Sequence, residues 1–129
     1  AAGAKLIIRE RLLTHGDQHA ESGFVVNLNG EDSSANVISR SVAKNNSTQV
    51  FNAEINGNAK CEGHSECDAI IMVHANISAI PKIVANDIDA ALIHEAAIGK
   101  IAGEQLIKLM TLGLTEQEAE AQIVNGFLK

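Results

Sequence analysis

The sequence predicts a mostly β chain that closes in a helical hairpin, with a parallel β-solenoid ranked ahead of a sandwich or a small barrel. Three observations carry that ranking. From Lys5 to about Ala90, short aliphatic and β-branched runs alternate with polar turn clusters at even spacing. Asn recurs in and beside the turns (Asn27, Asn29, Asn36, Asn45, Asn46, Asn56, Asn58), where it tolerates a left-handed backbone and can stack its amide on a like residue one rung away. Aromatic residues are only 2%, three Phe with no Tyr and no Trp, so the core is aliphatic. Such a core suits a thin solenoid in which each coil touches only its neighbours. No exact repeat is visible.

The elements follow in order. Lys5-Leu-Ile-Ile-Arg-Glu-Arg-Leu-Leu13 is strand-like, and Phe24-Val-Val-Asn-Leu28 leads into the turn cluster Asn29-Gly-Glu-Asp-Ser-Ser34. Asn36 to Val42, the turn Lys44-Asn-Asn-Ser47 and the run Gln49 to Ile55 come next. The turn Asn56-Gly-Asn58 precedes Ala69 to Val73, and Ile80 to Val84 and Ala91 to His94 complete the strands. From Ala96 to Lys129 the period changes: Ile98, Ile101, Ala102, Leu106, Leu109 and Met110 recur at helical spacing. Gly113 stands at a C-terminal cap position. Thr115-Glu-Gln-Glu118 is a capping box, and Ala119, Ile123, Val124 and Phe127 give a second helix its apolar stripe. The division is therefore a β core over 1–95 and a helical segment over 96–129.

Length and charge exclude several classes of function. At about 150 residues per domain, 129 residues make one domain, two at most. Ten basic against sixteen acidic residues leave a net charge of -6, and no basic stripe is interleaved with aromatics, so no nucleic-acid partner is expected. The hairpin's exposed positions are acidic (Glu104, Glu116, Glu118, Glu120), against DNA reading. No apolar run approaches the ~20 residues that span a bilayer, and no signal segment opens the chain. Two Cys six positions apart, with a His between, read as a metal or reactive site rather than a disulfide framework. The expected compartment is the cytoplasm, and the Asn-x-Ser/Thr matches near Asn45 and at Asn76 are chance matches in turns.

Chemistry concentrates in two stretches. Lys60-Cys-Glu-Gly-His-Ser-Glu-Cys-Asp68 places Cys61, His64 and Cys67 three apart. Thiolate and imidazole suit zinc, iron or copper, and a two-residue gap lets side chains turn onto one ion, although a closed zinc site needs a fourth ligand. The plain alternative is two small core Cys and a His capping a loop. Asp89-Ala-Ala-Leu-Ile-His-Glu-Ala-Ala97 brings His94 and Glu95 just before the helical region, pointing to opposite faces if the strand is extended; a cap or solvated corner is the plain reading there. His15, His19 and His74 have no partner at an interpretable spacing. Gly99-Lys-Ile-Ala-Gly103 has the wrong order for a P-loop, and no nucleophile elbow exists, so nucleotide hydrolysis by this chain is not expected.

Several motifs taken together, in order, have a known counterpart. Cys61-Glu-Gly-His-Ser-Glu-Cys-Asp-Ala69, Ile80-Pro81, His94-Glu-Ala-Ala-Ile-Gly-Lys-Ile101, Glu104-Gln105, Gly113-Leu-Thr-Glu-Gln-Glu-Ala119 and Ile123-Val-Asn-Gly-Phe127 resemble the C-terminal part of the SufB/SufD family of iron–sulfur cluster assembly proteins. The match is dense from about Ser34 onward. Family members are longer, so the chain looks like a C-terminal portion. The resemblance implies a right-handed parallel β-helix followed by a short helical segment, and a scaffold rather than an enzyme. It also implies pairing through the β-helix with a SufB/SufD paralogue or a second copy, and a SufC-like ABC-type ATPase docked on the C-terminal helices. The resemblance further implies a transient iron–sulfur cluster at the pairing seam, with none bound permanently.

By the same resemblance, Cys67 and Glu95 match SufB positions implicated in cluster building, and His94 matches a functional SufD position. Cys61 and His64 are less general in the family. Thiolate, carboxylate and imidazole together make a loose, exchangeable ligand set, as a transient scaffold requires. Ile101, Gln105, Leu109 and Phe127 are the expected contacts for the ATPase, the alternative being a hairpin that only caps the solenoid. Two other readings stand beside this one: a β-solenoid metalloenzyme resembling a zinc hydratase, which needs three His at matched rungs, and an interaction module with inert Cys.

Overall fold

Ten-residue stretches in which every second side chain is small or aliphatic form strands with one buried face. The computed structural model describes residues 1–129. It contains β1 (Lys5–Thr14), β2 (His19–Leu28), β3 (Ser33–Ala43), β4 (Thr48–Gly57), β5 (Cys61–Ile71), β6 (Asn76–Ala85) and β7 (Ala90–Lys100), then α1 (Gly103–Thr111) and α2 (Glu116–Leu128). Odd strands make a four-stranded sheet in the order β1-β3-β5-β7, and even strands a three-stranded sheet in the order β2-β4-β6. All pairings are parallel. Each coil thus gives one strand to each sheet, and the chain is a β-solenoid followed by two helices. The Cys61 to Asp68 stretch, where the sequence offers either a metal site or core Cys with a loop-capping His, is the body of β5.

The coil length is visible in the turns. Asn58 Nδ2 donates to Asn29 Oδ1 (2.7 Å) across 29 residues, and Asn86 Nδ2 donates to Asn58 Oδ1 (2.6 Å) across 28. Asn56 Nδ2 donates to Asn27 Oδ1 at 3.0 Å in the same way. These are the stacked amides expected from the Asn-rich turns. At the opposite corner of the coils, Gly16, Asn45 and Val73 occupy left-handed backbone with φ of 57°, 59° and 64°. Gly and Asn accept that conformation, whereas a β-branched residue is strained there. Val73 is 64% exposed, so its side chain stabilises little. Val73→Gly is expected to raise stability by about 1 kcal/mol in a urea titration, from relief of that strain; a loss of stability would show that the Val73 side chain has packing value that outweighs the strain.

The core lies between the sheets. Val26, Leu28, Ala35, Val37, Phe51, Ala53, Ile55, Cys61 and Cys67 form its main cluster, flanked by Ile8, Phe24 and Leu92. Packing at Gly63 is so close that a Cβ there would stand 2.7 Å from Leu92 on the neighbouring strand β7 and 2.9 Å from Ile55 of the facing sheet.

Strand β7 continues through Lys100, and the first helix begins only at Gly103. The helical spacing counted from Ile98 therefore starts inside a strand; pairing of Ala96 to Lys100 with β5 overrides it. Gly113 (φ 95°) follows the end of α1, and the capping box is present, with Thr115 Oγ1 accepting from the Glu118 amide and the Glu118 carboxylate accepting from the Thr115 amide. Helix α2 does not sit over the end of the solenoid. Its Val124 packs on Val42 and Met72, with Ile70, Ile101, Phe127 and Leu128 around them, against the outer side of the larger sheet.

Candidate cluster and metal site

Alternation along β5 decides which side chains can act together. Cys61, Gly63, Ser65 and Cys67 point into the solenoid and are buried, while Glu62, His64, Glu66 and Asp68 point outward. Cys61 and Cys67 are six residues apart on one extended strand, about 20 Å. Cys61, His64 and Cys67 therefore cannot bind one ion together: His64 is on the other face, and extension separates the two thiols.

The register with β7 sorts the remaining residues. Ser65 pairs with His94, Glu66 with Glu95 and Cys67 with Ala96. His94 belongs to the inward series of β7, diagonal to Cys67 on the neighbouring strand. Glu95 points outward, beside Glu66 and His64. The expected thiolate, imidazole and carboxylate arrive in one chain as two groups, Cys67 with His94 inside and Glu95 with His64 outside. His64 pairs in register with Ile93, so the imidazoles of His64 and His94 do not align, and the three-His requirement of a hydratase is not met.

Inside, Cys67 is 1% exposed. Burial, reinforced by the charges of Asp68 and Glu10, pushes its thiol up from 9.0 to about 11. Glu10 is the inward residue two strands below Cys67, paired with Ser39, which pairs with Cys67. Its Oε1 accepts from Ser39 Oγ (2.8 Å) and Ser22 Oγ (3.1 Å). Neither ring nitrogen of His94 has a hydrogen-bond partner, nor does Ser65 Oγ, although all three atoms are buried. Burial, followed by the charge of His64, lowers the His94 pKa and keeps the ring neutral. A buried neutral imidazole with a free lone pair, diagonal to a thiol on the next strand, fits a soft metal.

The raised thiol pKa has a directional consequence. The unfolded chain loses the Cys67 proton near 9 and the folded chain near 11, so stability falls as pH rises through that window. At pH 8 the folded thiol holds about 100-fold less thiolate than an ordinary one. Iodoacetamide at pH 8 is expected to alkylate Cys67 at least about 100-fold more slowly in the folded chain than in urea, as read by mass spectrometry of the labelled peptide. Equal rates would show that the last coil opens freely.

Only one strand separates Cys67 from the end of the solenoid. Strands β6 and β7 are edges of their sheets. Their end-facing side chains Pro81, Ile83, Ala96 and Ile98 are all exposed, an apolar strip with unpaired backbone on either side.

A family model described as SUF system FeS cluster assembly, SufBD core domain, matches residues 1–127. The chain belongs to the SufBD family. Among curated relatives, an iron-sulfur cluster assembly SufBD family protein of Methanocaldococcus jannaschii is 41% identical over 105 residues, which is 81% of this chain and 33% of the relative. A SufBD family protein of Methanothermobacter thermautotrophicus is 34% identical over 127 residues, 97% of this chain and 31% of the relative. One of Archaeoglobus fulgidus is 40% identical over 111 residues, 84% and 30% respectively. This SufBD core thus spans about one third of the length of these relatives.

The four residues expected at a partner surface in the helical segment of the SufBD core differ in exposure. Ile101 and Phe127, expected at a partner surface, pack within the chain around Val42, Met72 and Val124. Gln105 is exposed and Leu109 half-buried. Helix α1 has no buried residue; Ile107 (61% exposed) and Met110 on it, and Leu112 (79%) at its C-cap, are bare apolar side chains. No helix is long and apolar enough to cross a membrane. Sequence reasoning passed over Ser65, Glu66 and Asn36. A 28-residue step from Asn36 to His64 and a 29-residue step from Glu66 to Glu95 would have located two of them.

Proposed function

We propose that this chain is the scaffold part of an iron–sulfur cluster assembly subunit, with no turnover chemistry of its own. It pairs through the open end of its β-helix with a second copy or a paralogue, holds a nascent cluster transiently, and docks a SufC-type ABC ATPase through its C-terminal helices. The observation that carries this reading is the buried Cys67 and unpartnered His94 on one interior face, one strand from an exposed apolar solenoid end.

The chemistry follows from that placement. The cluster is cargo: ferrous iron and sulfide arrive, and the assembled cluster leaves. Cys67 supplies a thiolate once its proton is lost, and His94 supplies a neutral nitrogen. A protonated thiol under β7 is poorly disposed to bind iron, so loading requires β7 to move or a partner surface to lower the thiol's pKa. Only residues 101–102 separate β7 from α1, so a pull by an ATPase on α1 acts directly on the strand above Cys67. Pairing at the end covers Ile83 and Ile98 and brings a partner's side chains to Cys67. Two free thiols also suit a reducing cytoplasm.

Two measurements test the reading. Anaerobic incubation of the chain with ferrous iron and sulfide is expected to generate visible sulfide-to-iron absorbance; its absence refutes the scaffold role for this chain. Ile107→Glu with Leu112→Glu is expected to abolish co-purification with the ATPase subunit while the circular dichroism spectrum stays unchanged, because both side chains are exposed. Undiminished co-purification excludes α1 as the docking surface.

A further inference from the structure

The geometry points to a divalent transition-metal site on the outer face of the four-stranded sheet, held by His64 Nε2 and the carboxylates of Glu66 and Glu95 and separate from the interior Cys67–His94 pair. The ligand atoms of these three residues all lie within 4.8 Å of one another. The backbone imposes that convergence. His64 and Glu66 alternate onto one face of β5, and Glu95 stands in register with Glu66 on β7.

Two features of the site favour a cation. Glu66 and Glu95 are like charges directly opposite each other, a destabilising cross-strand pair, and no Lys or Arg nitrogen is within ion-pairing distance of either. His64 is also oriented as a ligand. Its Nδ1 lies 3.0 Å from Asn36 Oδ1, an acceptor, so Nδ1 carries the proton and donates. Nε2 then faces Glu95 Oε2, 3.1 Å away: a protonated ring joins the two as an ion pair, and in a neutral ring the Nε2 lone pair faces the carboxylate, where a metal cation takes the proton's place. A carbonyl that orients an imidazole by its far nitrogen is the usual support of a metal-ligating His. The side chains of Glu95 and His64 are 64% and 33% exposed, so ions have access. One nitrogen and two carboxylates, with positions left for water, suit ferrous iron, manganese or zinc and give thiol-seeking metals no advantage.

The site itself stands on this geometry; its role rests on the scaffold reading above. Under that reading it is where ferrous iron is held before it meets sulfur at Cys67. The iron remains ferrous and only exchanges ligands, so no reductant or oxidant is needed.

Anaerobic titration of the full 129-residue chain with cobalt(II), without sulfide, tests the site. Expected are one ion per chain, weak visible bands and no thiolate-to-cobalt absorbance. His64→Ala and Glu66→Gln should each abolish saturable binding, and Asn36→Ala should weaken it roughly 10- to 100-fold. All three side chains point outward, and unchanged circular dichroism verifies the fold. Cys67→Ser should bind cobalt as the parent does. Thiolate-to-cobalt absorbance, binding indifferent to His64→Ala and Glu66→Gln, or no saturable binding each overturns the site. Its failure is distinct from failure of the scaffold: cobalt binding without an iron–sulfide chromophore removes the scaffold reading alone, and a chromophore without cobalt binding removes this site alone.

Discussion

Cys67→Ser is expected to abolish the chromophore that ferrous iron and sulfide develop on this chain, while Cys61→Ser retains it. Both thiols are buried in the same strand face, so burial alone does not separate them. Position does. Cys67 is diagonal to His94, whose two ring nitrogens lack partners, whereas Cys61 is about 20 Å away along β5, next to Ala90. Serine nearly matches the shape of cysteine, but its hydroxyl does not ionise in this pH range and is a poor ligand for iron. The interior already holds Ser39, Ser41 and Ser65, and Ser39 is the rung neighbour of Cys67. An added hydroxyl there costs at most about 1–3 kcal/mol, so the variant is expected to fold, as circular dichroism would verify. His94→Ala should lower the chromophore without removing it, since the thiolate is the stronger ligand. A chromophore of parental intensity in Cys67→Ser would move the cluster away from the interior and defeat the scaffold argument.

Phe51→Ala is expected to cause the largest loss of stability of any single truncation, about 3–5 kcal/mol by equilibrium urea unfolding. Phe51 is buried between the sheets and packs on Phe24 with ring centroids 6.0 Å apart. The core contains no Trp or Tyr, and its neighbours Ala53 and Ala79 are too small to fill the vacated volume. A domain of this size is stable by about 5–15 kcal/mol, so the loss is a large share of the whole. Val25→Ala, at a position on β2 that faces solvent, is the control and is expected to change stability by no more than about 0.5 kcal/mol. If Phe51→Ala costs no more than that control, the two sheets do not depend on this ring for their packing.

Some features were legible in the residues because their causes are local. The Asn-rich turns, the apolar runs of β1, β3 and β4, the left-handed Gly113 and the Thr115–Glu118 capping box follow from backbone preference within a few residues. The body of β5 was not legible. Its interior series, Cys61, Gly63, Ser65 and Cys67, is small rather than aliphatic, and at Gly63 any larger side chain would run into Leu92 of β7 and Ile55 of the facing sheet. Alternation with Glu62, His64, Glu66 and Asp68 therefore did not register as hydrophobic periodicity. The coil repeat stayed hidden for a related reason. Column neighbours need compatible volumes, not like residues, as Ile8, Val37, Ser65 and His94 show.

The residue order by itself determined that the chain is a β-solenoid with a helical tail, and which side chains offer thiol, imidazole and carboxylate donors. Tertiary structure decided how they combine. The parity of an extended strand sends Cys67 and His94 inside and His64, Glu66 and Glu95 outside, and only the 28- to 29-residue register brings side chains from successive coils together. It likewise turned Ile101 and Phe127 onto the sheet and left Ile107 and Leu112 bare. Which face of a helix is buried depends on the surface it meets, and that surface, formed by Val42 and Met72, lies many residues earlier in the chain.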